Sequence, residues 1–257
     1  MSESRPIEHT APDDAAFAHD AETLVELFES GEIEVEGRMP NSSNTTLLVT
    51  VTGYAASGDK ITAQGIYKPG DGERPLWDFP PDLYKREVAM YRLAAALGMS
   101  VIPATTIGVG PLGEGSIQAF VNADFSQHYF TMYEDGVAVD DLRQLGLLDL
   151  IANNTDRKSG HCLLGRDGRS YGIDHGLAFH HEWKLRTVIW DFIGEPIPDA
   201  DLEAIQRFVD SGPPVELSCL LNTLEVDAMM TRAQAVLNEG LFPDDDSGGH
   251  RWPWPLV

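Results

Sequence analysis

Apolar positions along the chain mark out its elements. Between residues 21 and 30, Leu24, Val25, Leu27 and Phe28 recur at helical spacing, and Gly31 follows as a stop. The run Leu47-Leu48-Val49-Thr50-Val51-Thr52 is rich in β-branched residues and predicts a strand. Ser57-Gly58-Asp59 predicts a turn, and the alternation over 61–68 predicts the hairpin partner. A Pro/Gly loop fills 69–81. Asp82 is the expected cap of a helix over 83–97 that Gly98 closes. Two strands are expected at 104–109 and 116–121, joined by a glycine-rich turn at 110–115. A buried helix is predicted over 140–153, then a short hairpin with arms at 162–164 and 170–173. Two more helices are predicted at 199–211 and 224–238, and the Trp252-Pro253-Trp254-Pro255 tail is too proline-rich to be regular.

This order predicts an α+β fold of two lobes, an antiparallel-sheet N-lobe and a mainly helical C-lobe, with the boundary near 121–125. The expected organisation is a flexible N-terminus over 1–20, an N-lobe over 21–121, a C-lobe over 122–240 and a Pro/Trp tail over 241–257. A cleft between lobes is a favoured place for a ligand.

Composition narrows the function. The chain has 257 residues, with 18 Lys+Arg against 41 Asp+Glu, a formal charge of −23. Such a surface excludes nonspecific nucleic-acid binding, which needs basic residues opposite phosphates. It also opposes stable docking on anionic lipid. Cys162 and Cys219 are too few for a disulfide framework, which points to a reducing compartment. With no apolar leader run in the first 18 residues, the expected location is the cytoplasm.

Several groups could carry chemistry. Asn154-Thr155-Asp156-Arg157 follows a predicted helix, and Ile173-Asp174-His175-Gly176 comes 18 residues after Asp156. The hairpin between them would bring both carboxylates to one mouth, one to orient a hydroxyl proton and one to hold a divalent metal on a triphosphate. Taken singly, an aspartate in such a loop is more often structural, making turn hydrogen bonds. Lys68 ends a predicted strand and Glu87 lies on the next helix, the makings of a phosphate clamp or of two ordinary surface charges. The loop Asn41-Ser42-Ser43-Asn44 offers hydroxyl and backbone donors to phosphate, or is a plain polar turn. His161, His175, His180 and His181 form a histidine-rich stretch without zinc spacing. Cys162, in an apolar strand, is expected to be inert packing.

In order and spacing these pieces resemble the phosphatidylinositol 3-/4-kinase-like superfamily of the protein-kinase-like fold, closest to type II phosphatidylinositol 4-kinases and their bacterial relatives. Four stretches carry the resemblance, over roughly residues 38–185. They are Ile66-Tyr67-Lys68-Pro69, Lys85 to Tyr91, Gly115 to Val121, and Asn154-Thr155-Asp156-Arg157 taken with Ile173 to Phe179. Residue usage, Arg over Lys and rich in Ala, is compatible with an actinobacterial branch. The resemblance implies a kinase that uses ATP with Mg²⁺ or Mn²⁺. Lys68 would contact the ATP phosphates and Glu87 would hold it. Ser42 and Ser43 would lie in the phosphate-covering loop. The hinge would run from Gln118 through Phe120 to Val121, pairing with adenine. Asp156 would orient the acceptor hydroxyl, and Asp174 would bind the metal.

Two departures shape the expectation. His161 stands where the family has Asn, five residues after the catalytic-loop Asp. Imidazole is softer than an amide oxygen and suits Mn²⁺ better than Mg²⁺. The same change admits a nucleotide-binding pseudokinase that acts as a regulatory module, with its tail docking a protein partner. Second, there is no cysteine cluster or basic surface for membrane attachment, so the expected acceptor is a hydroxyl on a soluble small molecule or protein rather than on membrane lipid. A third reading, a metal-dependent hydrolase built on Asp156, His161, Asp174 and His175, leaves Lys68 and Glu87 without a role.

Overall fold

The computed structural model describes residues 17–40, 44–55, 57–244 and 251–256. Helix α1 spans Ala21–Ser30 and starts where the Asp20 carboxylate accepts the Thr23 N–H at 2.8 Å. Its apolar stripe, Leu24, Leu27 and Phe28, is buried on a five-stranded antiparallel sheet. The strands are β1 (Glu32–Arg38), β2 (Leu47–Tyr54), β3 (Lys60–Pro69), β4 (Thr105–Gly110) and β5 (Gly113–Ala119), in the order β1-β2-β3-β5-β4. Val49, Val51, Tyr67 and Ile117 meet α1 in the core of this lobe. A side chain at Gly108 would collide with Ile117 and the Phe28 carbonyl, so glycine there lets α1 lie close on β4. Edge strand β1 carries Glu32, Glu34 and Glu36 and is largely exposed, which discourages pairing with other chains.

Two local expectations are corrected. The β4–β5 turn is tighter than 110–115: Gly110 pairs with Gly113, so Glu114 and Gly115 belong to β5. Gly113, at φ +91°, supplies the left-handed turn conformation. Asp82 does not cap helix α2 (Tyr84–Ala96). It sits at φ +67° and binds Lys85 instead. The free N–H groups of Leu83 and Tyr84 donate to the Glu73 carboxylate, at 2.8 and 2.7 Å. The cap therefore comes from across the Pro/Gly loop, and it places a negative charge at the positive end of the helix dipole.

After β5 the chain passes into the helical part. This holds α3 (Tyr129–Glu134), α4 (Val139–Ala152), α5 (Asp199–Ser211), α6 (Val215–Ser218), α7 (Thr223–Glu239) and a small sheet of β6 (Ala123–Asp124), β7 (Cys162–Gly165) and β8 (Ser170–Gly172). Helix α4 is buried nearly all round and packs on α7. Ala89, Met90 and Leu93 of α2 join this core rather than that of the sheet, so α2 bridges the two parts. The periodicity of the sequence did not predict β6 or α3, which are too short to show one. Residues 251–256 are irregular and lie along the segments at 159 and 187, where the N–H groups of Ser159 and Thr187 donate to the carbonyls of Leu256 and Arg251. Among the described residues no helix is long and apolar enough to cross a membrane.

Candidate active site

β3 delivers Lys68 to the space between the lobes, and α2 brings Glu87 alongside. Lys68 Nζ pairs with Glu87 Oε1 and lies 2.8 Å from Asp174 Oδ1. Burial alone would lower the pKa of the amine, but the carboxylates of Asp174 and Glu87 outweigh it and raise the net value. The Lys68 charge in turn holds the Asp174 carboxyl well below the usual carboxylate range, against burial. The second Glu87 oxygen accepts the His175 backbone N–H at 2.8 Å. Asp174 itself sits at φ +60°, a left-handed conformation that aspartate tolerates better than most residues. Its side chain remains half exposed.

His161 ends a 3₁₀ turn, Ser159–His161, with Nε2 3.4 Å from Asp174 Oδ2. Its Nδ1 accepts the Lys158 backbone N–H at 3.4 Å. Burial pushes its pKa down to about 4, against the attraction of Asp174, so the ring is neutral near pH 7. With Nδ1 accepting, the proton of the neutral ring sits on Nε2, facing Asp174.

Asp156 pairs with Lys158 Nζ through Oδ2, and its backbone N–H donates to Asn154 Oδ1 at 3.1 Å. Its pKa is raised, chiefly by burial, which outweighs Lys158. Repulsion from Asp174 adds to the rise, and Arg186 opposes it. The repulsion between the two carboxylates means that each feels the other's charge, while the hydrogen-bond partners of Asp156 come from its own loop.

A buried network holds the two segments together. The Arg157 guanidinium is fully buried and grips both oxygens of Asp149 while donating to the Ile173 carbonyl at 2.9 Å. Asp149 also accepts from Asn154 Nδ2 and Thr187 Oγ1, each at 2.9 Å. One carboxylate on α4 therefore ties together the segments bearing Asp156 and Asp174.

The remaining predicted residues are spread more widely. Ser42 and Ser43 lie outside the described residues. After them in the chain, Asn44 Oδ1 accepts the Arg74 N–H at 3.0 Å and the Thr45 N–H donates to the Gly72 carbonyl at 3.2 Å. The Gln118 side chain is buried and donates to Thr105 Oγ1 at 3.0 Å. The Phe120 N–H is engaged by the Gln64 carbonyl at 3.1 Å. Val121 is buried where β5 has ended, against Tyr171. His175 does not join the cluster of donors. It is fully buried, with Nδ1 3.7 Å from Glu87 Oε2, and burial keeps it neutral. His180 is held by the Asp78 carbonyl and the Glu182 N–H. Among the described residues no three His, Cys, Asp or Glu converge on a ready metal site. Asp174, half exposed, suits a cation whose other ligands are phosphate oxygens and water; His161 Nε2 would join it only after giving up its proton. Cys162 is inert, its thiol pushed up to about 12 by burial. Sequence reasoning missed Lys158 and Asp149. Lys158 is two residues after Asp156, and that adjacency was the signal available. Nothing local marks Asp149.

No family model matches the chain. In overall shape it is similar to the Golgi casein kinase solved with Mn/ADP bound, with a TM-score of 0.56 and 16% identity over 92% of this chain and 80% of that one. It is also similar to hydra Fam20 solved with sugar, with a TM-score of 0.50 and 11% identity over 87% of this chain and 90% of that one. These likenesses show a kinase-like fold, in agreement with the two-lobed α+β expectation. Among curated sequences, Protein Rv2133c of Mycobacterium tuberculosis (strain ATCC 25618 / H37Rv) is 37% identical over 266 residues, covering 88% of this chain and 92% of that protein. With identity at that level across nearly the full length of both, the chain belongs to the family of Protein Rv2133c.

Proposed function

We propose that the protein is an ATP-dependent phosphotransferase of the phosphatidylinositol-kinase-like type that acts on a hydroxyl group. The observation that carries this reading is Lys68 held between Glu87 and Asp174. A cation fixed by two carboxylates is pre-organised for the phosphates of a nucleotide. A divalent ion, held by Asp174 and His161 together with phosphate oxygens, would neutralise charge on the transferring group. Lys68 would move from Asp174 toward the phosphates as they enter, with Glu87 keeping it in place. The Asp156 carboxylate would accept the acceptor's hydroxyl proton as that oxygen bonds the γ-phosphorus and the bond to ADP breaks. Lys158, beside Asp156, would supply positive charge where the phosphoryl group passes. Gln118, Phe120 and Val121 would border the adenine end, and Ser42 and Ser43 would cover the phosphates. The chain's charge of −23 favours an acceptor on a soluble small molecule or protein over one in an anionic bilayer.

One observation favours a second reading. The neutral His161 ring presents an N–H to Asp174, and this hydrogen must leave that nitrogen before the ring can bind metal. A nucleotide-binding module without transfer would show the same feature.

Incubation with ATP labelled in its γ-phosphate, with Mg²⁺ or Mn²⁺ and an Asp174→Ala control, tests the first reading. Label reaching water, the protein or an added extract in the wild type only is the expected result. Tight nucleotide binding with the label left on ATP would move the assignment to the binding module.

A further inference from the structure

Arg86 precedes Glu87 on α2 and points elsewhere, because successive helical residues lie about 100° apart. Its Nη2 pairs with Glu225 Oε1 of α7, 139 positions along the chain, with side chains only 3% and 4% exposed. Its Nε donates to the Ala178 carbonyl at 3.1 Å, four residues beyond Asp174. The Phe79 ring lies 5.5 Å from the guanidinium carbon. Glu225 is itself fixed, since its second oxygen accepts the Asn222 N–H at 3.0 Å in the capping box that opens α7.

Stability alone does not explain this pair. A buried ion pair costs so much desolvation that an apolar pair of similar volume is usually as stable or more so. What the pair supplies is direction. A planar guanidinium that meets acceptors on two separate elements admits one orientation of the helix bearing it. We propose that Arg86 is a positioning residue: anchored to Glu225 and Ala178 of the helical lobe, it sets the rotation and depth of α2 and so brings Glu87 to Lys68. The clamp is then assembled by the fold itself, before any ligand arrives. The kinetic consequence rests on the phosphotransferase reading; the consequence for Lys68 does not.

The test replaces the pair with apolar residues in an Arg86→Met/Glu225→Leu double variant beside each single variant. Three quantities are read: thermal unfolding, the rate at which a limiting acylating reagent modifies Lys68, and kcat and KM for ATP. Each single variant strands a buried charge and melts on the order of 10 °C lower, whereas the double variant melts within a few degrees of wild type. In that folded double variant Lys68 acylates about tenfold faster, because an amine no longer held by Glu87 is released to the reagent. Phosphotransfer drops about 100-fold, the scale of a misplaced catalytic group. Arg86→Lys keeps a cation but cannot reach both acceptors, and gives the same two changes should the double variant fail to fold. Wild-type acylation and wild-type kcat/KM in either folded variant would overturn the proposal. If the wild type transfers no label, the phosphotransferase reading fails and the Lys68 acylation rate alone decides the role of Arg86.

Discussion

Lys68 Nζ stands 2.8 Å from Asp174 Oδ1, across 106 positions of sequence, and the ion pair joins the sheet lobe to the hairpin segment of the helical lobe. Lys68 faces two carboxylates, so under the proposed reaction a nucleotide would exchange one anion for another rather than bind a bare cation. Lys68→Met leaves Glu87 and Asp174 facing each other with no cation between them. The expected result is a rise in KM for ATP and a fall of at least about 100-fold in kcat/KM, consistent with loss of a transition-state contact. Steady-state kinetics over a range of ATP concentrations checks it. A rate within twofold of wild type would show that Lys68 does not meet the phosphates.

The neutral His161 ring beside Asp174 predicts a metal preference. His161→Asn exchanges imidazole for a hard oxygen donor, and the ratio of the Mn²⁺-supported rate to the Mg²⁺-supported rate should fall about tenfold. Parallel assays with each ion measure the ratio. An unchanged ratio would place His161 outside the metal's reach.

Stability should depend on pH through the same ring. Burial holds the folded-state pKa of His161 at about 4, against an ordinary value of 6.5. Between those values the unfolded chain binds the proton and the folded chain does not, so stability is full above pH 6.5 and is lost as the pH falls toward 4. The shift corresponds to roughly 3 kcal/mol, and buried His175, also depressed, adds in the same direction. Unfolding midpoints measured in chelator from pH 7.5 to 4 should show this slope, and His161→Asn should flatten it. An identical slope in the variant would contradict the assignment.

Asp149 is the structural hub of the site. Asp149→Ala leaves the Arg157 guanidinium buried without its partner and frees Asn154 and Thr187. Loss of one member of a buried pair costs about 3–5 kcal/mol, which in a chain of this size lowers the melting temperature by on the order of 10 °C. Calorimetry would detect it. A melting temperature within two degrees of wild type would mean the network is dispensable.

The sequence revealed most where signals are local. The stripe of α1 with its Gly31 stop, the alternation of β2 and β3, and the short hairpin of β7 and β8 between Asp156 and Asp174 were legible because each depends on neighbours a few residues apart. The start of α2 was misread, since Asp82 has the chemistry of a cap but the backbone turns left-handed there and Glu73 caps from another segment. Buried partners far apart in sequence left no trace. Asn222 and Glu225 form a recognisable capping box, yet nothing near them announces Arg86. Asp149 sits unmarked among leucines, although it ties together the segments that bear Asp156 and Asp174.

The measurement that tests the account most directly is γ-phosphate transfer by Asp156→Asn at saturating ATP, with nucleotide affinity determined on the same sample. Asparagine keeps the shape of the side chain but cannot take the hydroxyl proton. The account predicts ATP affinity within a few-fold of wild type and transfer reduced by about 10²–10⁴-fold, the usual contribution of a general base. Equal transfer by variant and wild type would contradict the role given to Asp156, and no transfer by the wild type under either metal would contradict the phosphotransferase itself.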